Sequence, residues 1–86
     1  MSHTVILPRS VQKQLAKLDA EAAGRIEDAL LGLEGNPRPS GVKKLKGRDV
    51  WRICVGDYRV IFEIHDKALQ IIVIQIGNRR DVYRDS

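Results

Sequence analysis

Residues Trp51–Ile64 read WRICVGDYRVIFEI. Gly56-Asp57 sits between two runs rich in Val, Ile and aromatic residues, the pattern of two β-strands joined by a two-residue loop. Gly in the first loop position supplies the positive φ that a type II′ turn needs. That turn sets a register in which Val55 faces Tyr58, Cys54 faces Arg59, Ile53 faces Val60, Arg52 faces Ile61 and Trp51 faces Phe62. Side chains alternate along a strand, so Trp51, Ile53, Val55, Tyr58, Val60, Phe62 and Ile64 share one face, which must be the core face. Arg52, Cys54, Arg59, Ile61 and Glu63 occupy the other. Arg52 and Arg59 fall on diagonal positions roughly 7 to 8 Å apart, within reach of one anion. Two cations so placed repel each other. A shared phosphate would reverse the sign, whereas on a plain solvated face Glu63 would partly balance them.

Outward from the hairpin, the rest of the chain falls into alternating signals. His3 to Leu7 (HTVIL) reads as a short strand. Pro8 can open a helix because its missing N–H would be unpaired there, and Val11, Leu15 and Leu18 recur on one side of it. Asp19 is the expected N-cap of a second helix, with Glu21 in its first turn and Ile26, Leu30 and Leu33 as its apolar stripe. That helix stops at GNPRP, where Gly35 can take a left-handed cap and Pro37 forbids continuation. Ser40 to Arg48 (SGVKKLKGR) reads as a basic loop. Three strands follow, Val50 to Val55, Tyr58 to His65 and Leu69 to Asn78. The expected fold is α+β: a strand, a helical hairpin and a three-stranded antiparallel meander forming one sheet with helices on one face.

The chain has 86 residues, enough for a single domain spanning 1–86 with one core. It is 43% hydrophobic and 30% charged, which excludes disordered and membrane-embedded classes. Its one cysteine excludes an intramolecular disulfide and a Cys-only zinc site. The opening MSHTVILPRS lacks the pattern of a secretory leader and no run nears the roughly 20 apolar residues of a membrane span, so a cytoplasmic location is expected. Fifteen Lys and Arg against eleven Asp and Glu give a net charge of +4, which suits a polyanionic partner such as nucleic acid.

The close of the chain, GNRRDVYRDS, adds Arg79, Arg80, Tyr83 and Arg84 after the last strand. That strand, LQIIVIQIG, is apolar on both sides, so its own pattern does not say which way it faces. An odd number of residues in the turn near Asp66 would put Gln75 and Arg79 on the face of Arg59; an even number would not.

The order of elements, with LKGRDVWRICVGDYRVIFEI and the closing IGNRRDVY, resembles the RelE/ParE superfamily of toxins from type II toxin-antitoxin modules. The likeness spans essentially the whole chain and is carried by Leu-Lys-Gly before the hairpin, the Gly-Asp-Tyr-Arg turn and the Gly-x-Arg-x-x-x-Tyr close. The resemblance implies a ribosome-dependent endoribonuclease that cuts mRNA during translation, with Arg52, Arg59, Arg79 and Tyr83 at the matching catalytic positions. One position departs, because Cys54 stands where RelE toxins can place a second basic residue. The chain also ends three residues after Tyr83, without the further C-terminal helix of longer members.

RNA cleavage of this kind needs the 2′-OH deprotonated, the phosphorane charge stabilised and the 5′-oxygen protonated. Arginine suits the middle task, since it stays charged and its fork matches phosphate oxygens. Tyr83 is the proton-transfer candidate, neighbouring cations favouring its phenolate, or else a stacking platform for a base. Lys43, Lys44, Lys46, Arg48, Arg80 and Arg84 are expected to contact RNA or ribosome phosphates, with Lys44 and Lys46 as alternative acids or bases. Glu63 lies too far along the strand to serve Arg59. His3 and His65 read as surface residues, and Cys54 has no Cys-His-Asn companions. No metal site and no cofactor is expected. The partners implied are the ribosome and mRNA, a cognate antitoxin, RelB-like or other, and operator DNA only through the antitoxin complex, with no membrane. Two alternatives stay open: a ParE-like toxin that poisons DNA gyrase, and a degenerate module that only binds its antitoxin.

Overall fold

The computed structural model describes residues 3–45 and 50–78. The elements are β1 (Thr4–Ile6), α1 (Arg9–Ala16), α2 (Ala20–Gly35), β2 (Lys43–Lys44), β3 (Val50–Val55), β4 (Tyr58–His65) and β5 (Gln70–Asn78). They form one five-stranded sheet in the order β1-β5-β4-β3-β2, with β1 parallel to β5 and every other pair antiparallel. The α+β class and the helix-covered face expected from the sequence are both present.

The β3–β4 register is the one the turn dictates, from Val55 opposite Tyr58 to Trp51 opposite Phe62. Gly56 has φ +59°, the left-handed value a II′ turn needs. From β4, Val60, Phe62 and Ile64 are buried against Val11 of α1 and Ile26, Leu30 and Leu33 of α2. The i, i+4, i+7 spacing of the α2 residues lines them up on one side of the helix. Full burial of such side chains contributes roughly 1.5 to 3 kcal/mol each.

Asp19 caps α2 as expected, accepting from the Ala22 N–H at 3.0 Å. Pro8 stands one position earlier than expected, at the N-cap of α1, where its carbonyl accepts from the Val11 and Gln12 N–H groups. Gly35 does not take a left-handed cap. It is the last helical residue, and Asn36 turns extended at φ −150°, its side chain accepting from the Arg38 N–H. The basic loop from Ser40 contributes a strand, since Lys43 and Lys44 pair with Arg52 and Trp51. Backbone pairing to the β3 edge needs no apolar pattern, so nothing in the side chains of this segment announced it.

The outer edges are closed by side chains. On β1, the His3 N–H donates to the Glu34 carbonyl, the Val5 N–H donates to the Glu34 carboxylate and the Leu7 carbonyl accepts from Gln12. Past Ile72, where its pairing with β1 ends, β5 donates the Ile76 N–H to Gln14 Oε1 at 2.9 Å. Gln14 thus stands where a longer β1 would. No helix among the described residues is long and apolar enough to cross a membrane.

One end of the sheet is tied by Asp66. Arg38 reaches its carboxylate at 2.9 Å and lies over the Trp51 ring at 4.9 Å, while His3 Nε2 meets the same carboxylate at 3.1 Å. His3 is therefore not the surface residue expected: its side chain is 9% exposed, enclosed where the start of β1 meets the end of α2 and the β4–β5 turn. His65 is exposed, as expected, and pairs with Glu63. Hydrogen bonds from Arg38 and then His3 hold the Asp66 carboxyl below its ordinary pKa.

Two outcomes follow. Gln14→Leu leaves the part-buried Ile76 N–H without its acceptor and is expected to lower unfolding free energy by about 1 to 2 kcal/mol in urea titration, with Gln14→Glu retaining most of the stability. A carboxyl with a depressed folded pKa stabilises above its unfolded pKa and loses that contribution as pH falls through the folded value. Asp66→Asn is accordingly expected to lower Tm at neutral pH, and its deficit relative to wild type is expected to shrink below about pH 4 in thermal melts.

Candidate functional site

The sheet face turned away from the helices carries the candidate site. Its register is built strand by strand: Lys43 on β2 opposite Arg52 on β3, Arg52 opposite Ile61 on β4, and Ile61 opposite Gln75 on β5. One pair further along, Cys54 is opposite Arg59 and Arg59 opposite Gly77. Arg52 and Arg59 therefore hold the diagonal relation set by the hairpin turn, and Lys43 adds a third cation in line with Arg52.

These residues differ in exposure. Cys54 and Lys43 are exposed and Arg52 is half-buried, but Arg59 is only 3% exposed. A solvated arginine face is thus not what the chain presents at this position. β4 is the central strand, flanked on both sides, and Arg59 is engaged by other groups of the chain. A guanidinium so held has little rotamer freedom left to lose when it meets an anion.

The β4–β5 turn contains four residues, Asp66 to Leu69, with Leu69 at φ +54°. An even turn was expected to put Gln75 on the core face. It does not, because β5 bulges: Phe62 pairs with Val73 but Ile61 pairs with Gln75, leaving Ile74 as an extra residue. The core positions accordingly run Ile71, Val73 and Ile76, and Gln75 joins the face of Arg59. A strand apolar on both sides carries no signal of such a register change.

Lys44 goes elsewhere. It is opposite Trp51, and its Nζ lies 5.8 Å from the Trp51 ring centroid, on the helix side of the sheet. Lys43 and Lys44 therefore serve opposite faces of one edge. Glu63, four residues along β4 from Arg59, is occupied by His65 at 2.9 Å. Of the other residues singled out in the sequence, Lys46, Arg48, Arg79, Arg80, Tyr83 and Arg84 lie outside the described residues.

The five-stranded mixed sheet with a helical hairpin on one face matches the fold of solved RelE toxins. The archaeal RelE of a RelE-RelB complex from Pyrococcus horikoshii OT3 is 30% identical, with a TM-score of 0.84 covering 92% of this chain and 97% of that one. A free double arginine-to-alanine mutant of the E. coli toxin RelE shares the fold at 22% identity, with a TM-score of 0.81 covering 98% and 93%. The RelBE2 toxin-antitoxin complex from Mycobacterium tuberculosis does so at 18% identity, with a TM-score of 0.81 covering 92% and 100%. No curated protein matches by sequence. Residues 5–83 match the family model of the ParE toxin of the type II toxin-antitoxin system parDE. The chain belongs to the RelE/ParE superfamily of type II toxin-antitoxin toxins.

Cys54 is the chain's only thiol and is exposed. One equivalent of a disulfide reagent is expected to react with the folded protein without denaturant, as followed by thiolate absorbance.

Proposed function

We propose that this toxin is a ribosome-dependent endoribonuclease that cleaves mRNA during translation. The observation that carries the reading is the placement of Arg52 and Arg59 on diagonal positions of one sheet face, with Lys43 in line and the helices on the opposite side. Cleavage requires attack of the ribose 2′-oxygen on the adjacent phosphorus and rupture of the P–O5′ bond, giving a cyclic phosphate and a free 5′-hydroxyl. The 2′-OH loses a proton and the 5′-oxygen gains one. Between these steps the phosphorane carries extra negative charge, which Arg59, held in place on the central strand, and Arg52 beside it are suited to stabilise.

Arg79 is assigned to the same clamp and Tyr83 to proton transfer or base stacking, on their positions in the Gly-x-Arg-x-x-x-Tyr close. Lys43, Lys46, Arg48, Arg80 and Arg84 are assigned to RNA and ribosome phosphates, whereas Lys44, lying over the Trp51 ring on the helix side, is left out of that set. Arginine makes a poor base because it stays charged, so the proton-transfer role falls outside the arginine pair. By analogy with the RelE-RelB complexes, a RelB-like antitoxin would silence the toxin by masking this cationic face with an acidic or helical segment.

A second reading is favoured by two observations: the matching family model is that of ParE, and Cys54 stands where RelE toxins can place a second basic residue. A ParE-like toxin would inhibit gyrase and leave mRNA intact. Primer extension on a defined mRNA in reconstituted translation separates the two. Wild type is expected to produce cuts only when ribosomes translate, with Arg52→Ala and Arg59→Ala each lowering cleavage by about 10² or more. Tyr83→Phe is expected to lower it by about 10² to 10⁴. Circular dichroism checks the fold of the variant at buried Arg59. Intact mRNA together with loss of supercoiling in a gyrase assay would establish the second reading instead.

A further inference from the structure

Gln75 is the one polar side chain in the run from Ile71 to Ile76. Gln12 and Gln14 each anchor a backbone group, whereas the half-buried Gln75 amide makes no hydrogen bond within the described residues. No Gln75 side-chain atom is buried without a partner, so the amide reaches solvent and its donor and acceptor stay available to a ligand. The bulge at Ile74 carries this amide to the arginine face, where Gln75 lies directly across from Ile61 and diagonal to Arg59. That puts it roughly 7 to 8 Å from Arg59 along the sheet, with Arg52 two strands away at about 10 Å. Beside it Ile74 is 43% exposed, one of two large exposed hydrophobic residues among those described.

From this juxtaposition we infer that Gln75 reads the base of the nucleotide whose phosphate the arginines hold. The inference rests on the RNA-cleavage reading and adds to it a specificity-determining residue. A carboxamide presents a donor and an acceptor side by side, the pattern that pairs with base edges, while arginine contacts to phosphate carry no sequence information. The exposed Ile74 offers an apolar surface for the base plane. The bulge is the device that makes this possible, since in unbroken register Gln75 would face the core.

The test maps cut sites by primer extension in reconstituted translation over an mRNA set presenting every codon, for wild type, Gln75→Leu and Arg52→Ala. Wild type is expected to favour some bases at the cut codon by about tenfold. In Gln75→Leu that preference is expected to shrink below about threefold, with total cutting retained within about tenfold. Arg52→Ala is expected to weaken all sites by a common factor and keep their ranking. An unchanged base ranking in Gln75→Leu, or a wild type that cuts without preference, overturns the inference and leaves the nuclease reading standing. Loss of all cutting in a folded Gln75→Leu overturns it too, because it would make Gln75 part of the general machinery. A wild type that cuts nothing sinks the nuclease reading itself.

Discussion

Gly56, at φ +59°, is the constraint from which the arginine face follows. A two-residue turn with its first residue in that region leaves no choice of pairing between β3 and β4, and a slip of one residue would send every side chain of β3 to the other face. Phe62 and Val60 go fully into the core, and Arg52 and Arg59 go to the opposite side. A residue with a Cβ would be strained at this φ although there is space for the Cβ itself, the nearest group being Arg25 Nη1 at an ordinary contact distance of 3.9 Å. Local backbone chemistry thus sets which face of the sheet Arg52 and Arg59 take.

The sheet around that hairpin shows how a small domain with an open face limits unwanted pairing. The outer edge of β1 is closed by Glu34 and Gln12, and the free part of β5 by Gln14. The remaining edge is β2, two residues long and made of Lys43 and Lys44, a combination of shortness and charge that discourages another strand from docking. The same two lysines point to the two sides of the sheet, so the charge that protects the edge also lines the approach to Arg52 from one side and covers Trp51 from the other.

Where the sequence was silent, the reason lies in contacts between distant segments. The bulge at Ile74 leaves no mark in the sequence because β5 is apolar on both faces, so a change of register does not disturb its pattern. Arg59 reads as an exposed strand residue from its neighbours in sequence, but the central position of β4 makes it buried. His3 likewise reads as a surface residue at a strand start, and becomes enclosed only because Glu34 and Asp66 come to it from 31 and 63 positions away in the chain.

What the amino-acid order determined by itself was the part governed by short-range rules: the II′ turn, the alternation of faces along β3 and β4, the Asp19 cap of α2, its apolar stripe, and hence the α+β class and the pairing of Arg52 with Arg59. Those rest on φ preferences and on periods of 2 and 3.6, which a few adjacent residues express. Only the tertiary structure decided the burial of Arg59, the strand pairing of Lys43 and Lys44, the opposite destinations of their side chains, and the turning of Gln75 toward the arginines. Each of these depends on which strand comes to lie beside which, and strand neighbours are chosen by packing over the whole core, information that no short window of sequence contains.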